Sequence, residues 1–379
     1  MMDSIERVKT TLKFGTPDRV ALGFYLTDCD TIEKVIGRKT YVRNKVAQQI
    51  ALWHGKRDEV AESLKKDTVE FFQKIGLCDV ICAKEACLLP PKDYQPEKVR
   101  QVNDQIWEDQ AGRVYKISEV SNEFVCVEDP TLKNKCYTPE DFSPAKEAPK
   151  MDPSVFEAFD YLLAHLGKER FILGPGYLGA MPKLGGMENG LMEYLENPET
   201  VRAAIQYHIH HFGALDAQMV RPGQQGVLVE EDYGTTRASL LSPPMFREFC
   251  FPAMQTRVQH LKHYSPYVFL HSCGYTWELI DMFIAAGIDA YQSLQTGAGM
   301  DLSKLKDRFD NRIVFWGGLA VEVLLKGTSQ EVRQNVRNAL TVAKTRKGII
   351  LGPSHSIAYG VPYENFMAML DEFQRHASF

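Results

Sequence analysis

Residues 267–294 read YVFLHSCGYTWELIDMFIAAGIDAYQSL, and this stretch decides the fold. It begins with one short apolar run, residues 267–270, and ends with another, residues 289–294. Between the two runs, residues 276–286 carry apolar side chains at the spacing of an amphipathic helix. A strand, a helix and a second strand in this order are the repeating unit of parallel α/β folds.

The same unit recurs along most of the chain. Eight apolar runs end in polar residues or glycine, at 20–26, 79–83, 171–174, 226–230, 267–270, 289–294, 312–315 and 348–351. Amphipathic helices are predicted between the later runs, at 198–220, 242–263, 276–286 and 329–345. Eight parallel strands with intervening helices indicate an α/β protein of the (β/α)8 TIM-barrel type, and a doubly wound open sheet is the alternative.

One region interrupts this alternation. Residues 84–152 contain the segment IWEDQAGRVYKI, 106–117, in which alternating residues flank an Ala111-Gly112 turn and predict a β-hairpin. A loop rich in proline and lysine follows. We interpret 84–152 as an insertion after the second barrel strand that caps the mouth, within a single domain spanning 1–379. The first 20 or so residues and residues 30–74 are predicted to form helices that wrap the outside.

Composition excludes several classes of protein. Lys and Arg number 44 and Asp and Glu 49, which gives a net charge of −5 and argues against broad nucleic-acid binding. No apolar run reaches the ~18 residues of a membrane span. The first residues lack the apolar core of a signal peptide, so we expect a cytoplasmic protein.

The cysteines indicate thiols rather than a disulfide framework. Eight cysteines in a chain of 379 residues without a signal peptide are expected to stay reduced. Cys78, Cys82 and Cys87 could form a metal cluster, but the spacing C-x3-C-x4-C matches neither ferredoxin nor zinc patterns. We therefore predict thiols in and around a strand.

The strand ends carry a set of residues suited to a metal. Active sites of barrels lie at the carboxyl ends of the strands. His271 and Cys273 follow one strand and, being two positions apart, share a face, and His355 follows the last strand. Two imidazoles and one thiolate would form a catalytic zinc site with one open position. The alternative is a core histidine, a buried thiol and an unrelated loop histidine.

Three successive acidic residues, Glu230, Glu231 and Asp232, follow another strand. Carboxylates held together are unfavourable unless a cation, a basic substrate or a proton neutralises them. Glu231 or Asp232 could ligate the metal, orient His271 or act as a general acid. A solvated loop is the alternative.

Several side chains at or near the strand ends could line a substrate pocket, although each could equally serve packing. They are Tyr177, Tyr233, Tyr291, Gln295 and Trp316.

Four of these segments together point to a family. HSCG at 271–274, EEDYG at 230–234, FWGGL at 315–319 and ILGPSH at 350–355 resemble the uroporphyrinogen decarboxylase superfamily. The resemblance implies a TIM barrel. Its decarboxylase branch carries an Arg-Gln-Ala-Gly-Arg run near the first strand, which suits the gripping of substrate carboxylates. The matching segment here, FYLTDCD at 24–30, has no arginine and two aspartates, unlike that branch.

A second branch of the superfamily contains zinc-dependent, corrinoid-linked methyltransferases, similar to methylcobalamin:coenzyme M methyltransferase. In that branch a His-x-Cys pair and a later Cys hold the metal. His271 and Cys273 match the pair, whereas His355 stands at the position of the later Cys. Two imidazoles and one thiolate leave a zinc site with a formal charge of +1, which makes it a stronger Lewis acid, suited to polarising an ether oxygen. The resemblance therefore implies the demethylating component, with a methyl ether as the favoured donor.

The resemblance also implies a corrinoid, which we place on a partner. None of the ten histidines has an Asp two positions before it, so the Asp-x-His-x-x-Gly motif of base-off corrinoid binders is missing. The corrinoid would then belong to a separate protein that docks over the barrel mouth, and a homodimer is a further expectation. Two alternatives remain open: a metal-free decarboxylase or lyase acting on a small carboxylate or a porphyrinogen, and a non-catalytic accessory subunit of a corrinoid complex.

Overall fold

The computed structural model describes residues 2–84, 88–132, 135–143 and 149–379. Eight parallel strands close into a barrel, and helices surround it. The TIM-barrel prediction is therefore confirmed. The barrel strands are β1 Ala21–Phe24, β2 Val80–Cys82, β7 Phe171–Gly176, β8 Gly226–Glu230, β9 Val268–His271, β10 Ala290–Gln292, β11 Val314–Leu319 and β12 Ile349–Pro353; β3 to β6 belong to the insertion described below.

The strands alternate between an inner and an outer packing layer. In β8, Leu228 packs inside the barrel, while Val227 and Val229 pack against the helices. Both faces of each strand are thus buried, which explains why the strands appear in the sequence as nearly continuous apolar runs. The register aligns the last residue of β9, His271, with Gln292 of β10, and Gln292 with Trp316 of β11.

Helices cover the outside of the barrel. They are α2 Cys29–Ile36, α3 Lys45–Trp53, α4 Arg57–Ile75, α5 Glu157–Leu166, α6 Met187–Glu196, α7 Pro198–Met219, α8 Phe251–Tyr264, α9 Ile280–Ala286, α10 Leu302–Phe309, α11 Val321–Lys326, α12 Ser329–Thr345 and α13 Tyr363–His376, while α1 Ser4–Leu12 precedes β1. A π-helical turn, Phe246–Cys250, leads into α8. Within the described residues, no helix has the length and apolarity to cross a membrane.

Helix α1 differs in position from the other N-terminal helices. It contacts β1, β7 and β12, and its Val8 packs with the inner layer of the barrel. Asp79, fully buried just before β2, accepts hydrogen bonds from Ser4 Oγ and Arg7 Nη1 of α1, at 2.7 Å each, and from Arg19. Helix α1 therefore lies across the amino-terminal end of the barrel, opposite the mouth, whereas α2 to α4 form the predicted outer wrap.

The insertion holds more strands than the predicted hairpin. Strands β3 Val99–Asn103, β4 Ile106–Asp109, β5 Val114–Ser118 and β6 Glu123–Glu128 form a four-stranded antiparallel sheet. The hairpin of β4 and β5 is the predicted one. Trp107 and Phe124 of the sheet pack against Trp53 of α3, with ring centroids 5.2 and 4.8 Å away. These contacts place the sheet on the helices that follow β1, and its capping of the mouth stays a prediction.

Candidate metal centre

The three predicted ligands meet at the carboxyl end of the barrel. His271 is the last residue of β9, Cys273 lies two residues further, and His355 lies two residues beyond the end of β12. One ligand atom from each residue lies within 4.8 Å of the others, and His271 Nε2 is 3.3 Å from Cys273 Sγ. Tetrahedral zinc separates such nitrogen and sulfur ligands by roughly 3.3–3.6 Å. The ligand atoms therefore need to move only slightly closer together to hold one ion.

Burial sets the protonation of these side chains. It lowers the pKa of His271 and of His355 to about 4, so both imidazoles are neutral and have a free lone pair at neutral pH. Burial, followed by the nearby charge of Asp232, raises the pKa of the Cys273 thiol to about 12. A thiolate at this position needs a cation to stabilise it, as in zinc sites generally.

Gln292 fixes the orientation of the His271 ring. The two residues are register partners on β9 and β10, and His271 Nδ1 donates a hydrogen bond to Gln292 Oε1. This bond places the ring proton on Nδ1 and leaves the lone pair of Nε2 facing Cys273. Metal-binding histidines are usually oriented by such a partner. Gln292 was not predicted, because its position next to His271 depends on the register between two strands.

Tyr25 covers the imidazoles from the side of β1. Its ring stacks on His271, with centroids 3.9 Å apart and an interplanar angle of 11°, and meets the ring of His355 edge-on at 5.8 Å. Its hydroxyl donates to Glu230 Oε1 at 2.8 Å. Burial, and then the charge of Glu230, raises the pKa of the Tyr25 phenol, which stays neutral. Tyr25 was also missed, because an aromatic residue one position beyond a strand carries no specific sequence signal.

The three consecutive carboxylates have separate roles. Glu230 accepts from Tyr25 and pairs with Lys84. Glu231 accepts from the backbone N–H groups of Ala180 and Met181, at 3.0 Å each, and from the hydroxyl of Tyr233. The side chain of Glu231 therefore binds the loop after β7.

Asp232 is the carboxylate nearest to the candidate ligands. It accepts from the backbone N–H of Cys273 at 2.7 Å, and its Oδ1 lies 4.0 Å from His271 Nε2. Its side chain is 53% exposed, so solvent or a bound molecule can reach it. Of the two predicted acids, the geometry brings Asp232 to the ligands.

The predicted pocket residues are mostly used in packing. Tyr291 is fully buried and donates to the carbonyl of Ser272, and Trp316 donates to the carbonyl of Gly23 inside the barrel. Tyr233 is buried and donates to Glu231, while Gln295 accepts from the backbone N–H of Gly274.

Tyr177 is 38% exposed and stacks on Phe212. Contact of these five residues with a substrate stays a prediction.

Within the described residues, the cysteines near β2 form no group that could hold a metal ion. Cys78 is buried and its thiol hydrogen-bonds the carbonyl of Val80, and Cys82 is buried at the end of β2. Cys87 lies outside the described residues.

With the fold and site described, comparison with known proteins identifies the family. The family model described as "Uroporphyrinogen decarboxylase (URO-D)" matches residues 120–376, more than half of the chain. The chain belongs to the uroporphyrinogen decarboxylase family. No protein with a curated description matches it significantly.

A solved structure gives the same fold. The chain is similar to a "methyltransferase from Methanosarcina mazei", with a TM-score of 0.61, 14% sequence identity and coverage of 99% of each chain. At that identity the likeness establishes the shared barrel, over the full length of both proteins.

Proposed function

We propose that this protein is a zinc-dependent methyltransferase that moves a methyl group from a small methylated compound, with a methyl ether favoured, to a corrinoid carried by a partner protein. One observation carries the proposal: His271, Cys273 and His355 bring two neutral imidazoles and a thiol within 4.8 Å of one another at the barrel mouth. The full-length likeness to a methyltransferase from Methanosarcina mazei supports the same reading.

Zinc would be held by His271 Nε2, Cys273 Sγ and a ring nitrogen of His355. Bound there, it would supply a Lewis acid with one open position for the heteroatom of the methyl donor. The formal charge of the three-ligand site would be +1, and the carboxylate of Asp232 lies close enough to offset part of it.

The residues of the chain itself would prepare the reaction. Gln292 holds His271 in the tautomer that leaves Nε2 free, and the stacked ring of Tyr25 excludes water from one face of that imidazole. A reduced corrinoid would supply the nucleophile that accepts the methyl group, and the C–O bond of the donor would break with its electron pair left on oxygen. The oxygen would take up one proton, and Asp232 is the nearest carboxylate that would relay it.

The corrinoid carrier, a homodimer and a cytoplasmic location remain predictions from the sequence. The mouth of the barrel is where a carrier protein would have to dock, because the candidate ligands lie at that end.

A transfer assay tests this function. The purified protein, loaded with zinc, is mixed with free cob(I)alamin and methoxybenzene, methanol, trimethylamine or methanethiol, and methylcobalamin formation is followed by absorbance. We expect transfer from at least one oxygen donor and loss of that transfer in Cys273→Ser. The exposed Cys126→Ser serves as the matched control, since Cys126 lies on the insertion sheet. Zinc-loaded protein that transfers methyl from none of these donors would contradict the proposal.

Decarboxylation is the second candidate, because the matching family model describes a uroporphyrinogen decarboxylase. The segment after β1 weighs against it, since Tyr25, Asp28 and Asp30 stand where an arginine-rich run would grip carboxylates. Porphyrinogen turnover by chelator-treated protein would favour this candidate. Stable binding of a corrinoid protein without transfer from any donor would instead favour an accessory subunit.

A further inference from the structure

His355 differs from His271 in that it lies in a loop. His271 is the last residue of strand β9, so the hydrogen bonds of the barrel fix its backbone. His355 instead lies between the end of β12 at Pro353 and the start of α13 at Tyr363. A binding site is effective only when its residues are held close to the productive geometry. The position of His355 therefore depends on what holds this loop.

Backbone hydrogen bonds hold the loop on both sides of His355. On the side of β12, the residue before His355 donates its N–H to the carbonyl of Leu319 at 2.7 Å. On the far side, Ile357 pairs with the segment that follows β1. The N–H of Ile357 donates to the carbonyl of Leu26, and its carbonyl accepts from the N–H of Asp28, at 2.9 Å each. The second anchor of His355 is thus the segment after β1.

Two carboxylates of the same segment extend this second anchor. Asp28 Oδ2 accepts from the backbone N–H of Tyr359 at 2.9 Å, and Asp30 Oδ2 accepts from the backbone N–H of Gly360 at 2.7 Å. Asp28 is only 5% exposed, so its charge needs partners inside the protein. One of these partners is the loop that carries His355.

Arg43 is the other partner of Asp28. Its Nε and Nη2 each lie 2.8 Å from Asp28 Oδ1, so the two carboxylate oxygens bind different groups. Arg43 also has a φ of 57°, in the left-handed region that residues with a side chain rarely adopt. Such a conformation persists only where surrounding contacts hold it, and it is frequent at functional sites. The ion pair therefore fixes the carboxylate that holds the loop.

We propose that Asp28, held by Arg43, is a positioning residue for the third candidate ligand: it fixes the loop after β12 so that His355 faces the other two ligands. This inference rests on the metal centre of the proposed function. Tyr25, in the same segment, contacts the rings of both candidate histidines, with centroids 3.9 and 5.8 Å away. The segment after β1 thus supports the candidate metal centre through a ring and through a carboxylate.

Asp28→Asn tests the proposal. The single oxygen of an amide cannot replace both carboxylate oxygens, so either Arg43 or Tyr359 loses its acceptor. Asparagine remains favourable at this position, which is the N-cap of α2, so the helix should persist. Asp160→Asn is the matched control. Asp160 of α5 forms an ion pair with Arg221 at 2.8 Å, and Arg221 precedes β8 at the amino-terminal end of the barrel.

Two properties of the metal centre are measured. Zinc affinity is obtained by competition with a chelator, and the d–d absorption of the cobalt(II)-substituted protein reports the ligand geometry at saturation. We expect Asp28→Asn to lose roughly 10- to 100-fold in zinc affinity and to alter the cobalt spectrum. Arg43→Lys keeps the charge but loses the planar guanidinium, so it should show a smaller loss in the same direction. Asp160→Asn should match the wild type in both measurements.

Guanidinium unfolding of the metal-free variants shows that each is folded, so a lower affinity reports the site itself. Wild-type zinc affinity and cobalt spectrum in Asp28→Asn would overturn the inference and leave the metal centre standing. An equal loss of zinc affinity in Asp160→Asn would also overturn it, because the effect would then be one of general stability. A wild type that binds zinc but transfers no methyl group would refute the proposed function and not the inference, whereas a wild type that binds no zinc would refute both.

Discussion

Replacing Glu231 and Asp232 one at a time by their amides should affect different quantities: the first should lower stability, and the second should lower the rate of methyl transfer. The carboxylate of Glu231 receives two backbone N–H groups at 3.0 Å and the Tyr233 hydroxyl at 2.7 Å. In Glu231→Gln one carboxylate oxygen becomes an NH2 group, which cannot accept from the N–H it faces. Leaving a buried donor unpaired costs about 1–3 kcal/mol, so we expect the free energy of unfolding to fall by about 2 kcal/mol.

Asp232→Asn should leave stability nearly unchanged and lower activity. The Asp232 side chain is half-exposed, and its amide oxygen can still accept from the Cys273 N–H, so stability should change by less than ~0.5 kcal/mol. The substitution removes the ionisable acid nearest to the ligands. A general acid contributes roughly 10²- to 10⁴-fold to a rate, and we therefore expect kcat for methyl transfer to fall about 100-fold or more.

Guanidinium unfolding followed by tryptophan fluorescence, and methyl transfer to cob(I)alamin, measure the two quantities on the same preparations. Zinc content serves as the control, because both variants should retain the metal. The reasoning fails if Asp232→Asn keeps full activity while Glu231→Gln loses activity with unchanged stability.

Three other predictions follow from the charges of the structure. At pH 7, zinc binding should release one proton per ion, because burial raises the pKa of Cys273 to about 12 whereas both histidines are already neutral. Calorimetry in buffers of different ionisation enthalpy measures the number of protons released. Release of two or three protons would contradict the assigned protonation. The metal-free protein should lose stability as the pH falls from about 6.5 towards 4, by up to roughly 1.4 kcal/mol per pH unit for each histidine. The reason is that burial lowers the pKa of His271 and of His355 to about 4, so the unfolded chain takes up protons at a higher pH than the folded chain does. A free energy of unfolding that stays constant over this pH range would refute this prediction. Asp79→Asn should lower the free energy of unfolding by about 3–5 kcal/mol, because it breaks a buried ion-pair cluster with Arg7 and Arg19 far from the mouth, while zinc binding to the folded variant stays unchanged.

The barrel was predictable because its strands are buried on both faces. Such strands leave short apolar runs in the sequence, and the prediction for β8, 226–230, coincides with the strand observed. The position of α1 was not predictable, since an amphipathic helix that seals the end of a barrel has the same periodicity as one that packs on its side. The insertion was recognised at its central hairpin only, because the turn at Ala111-Gly112 gives a local signal.

The candidate ligands were predictable because the carboxyl ends of the strands of a parallel barrel lie at one edge. Their supporting residues were not. Gln292 and Tyr25 both lie inside apolar runs, so their roles depend on register and ring stacking across strands. Conversely, Tyr233, Tyr291 and Trp316 are predicted at or near strand ends, but the structure buries their side chains. Proximity to a strand end in sequence does not determine which way a side chain points.

Zinc stoichiometry of the purified protein tests the central claim most directly. We predict about one zinc per chain by plasma mass spectrometry, lost in Cys273→Ser and in His271→Ala and retained in the matched surface variants Cys126→Ser and His376→Ala, which alter an exposed strand and the end of α13. A wild-type protein that takes up no zinc after reconstitution, or a Cys273→Ser variant that keeps full zinc occupancy, would contradict the assignment of His271, Cys273 and His355 as a metal centre.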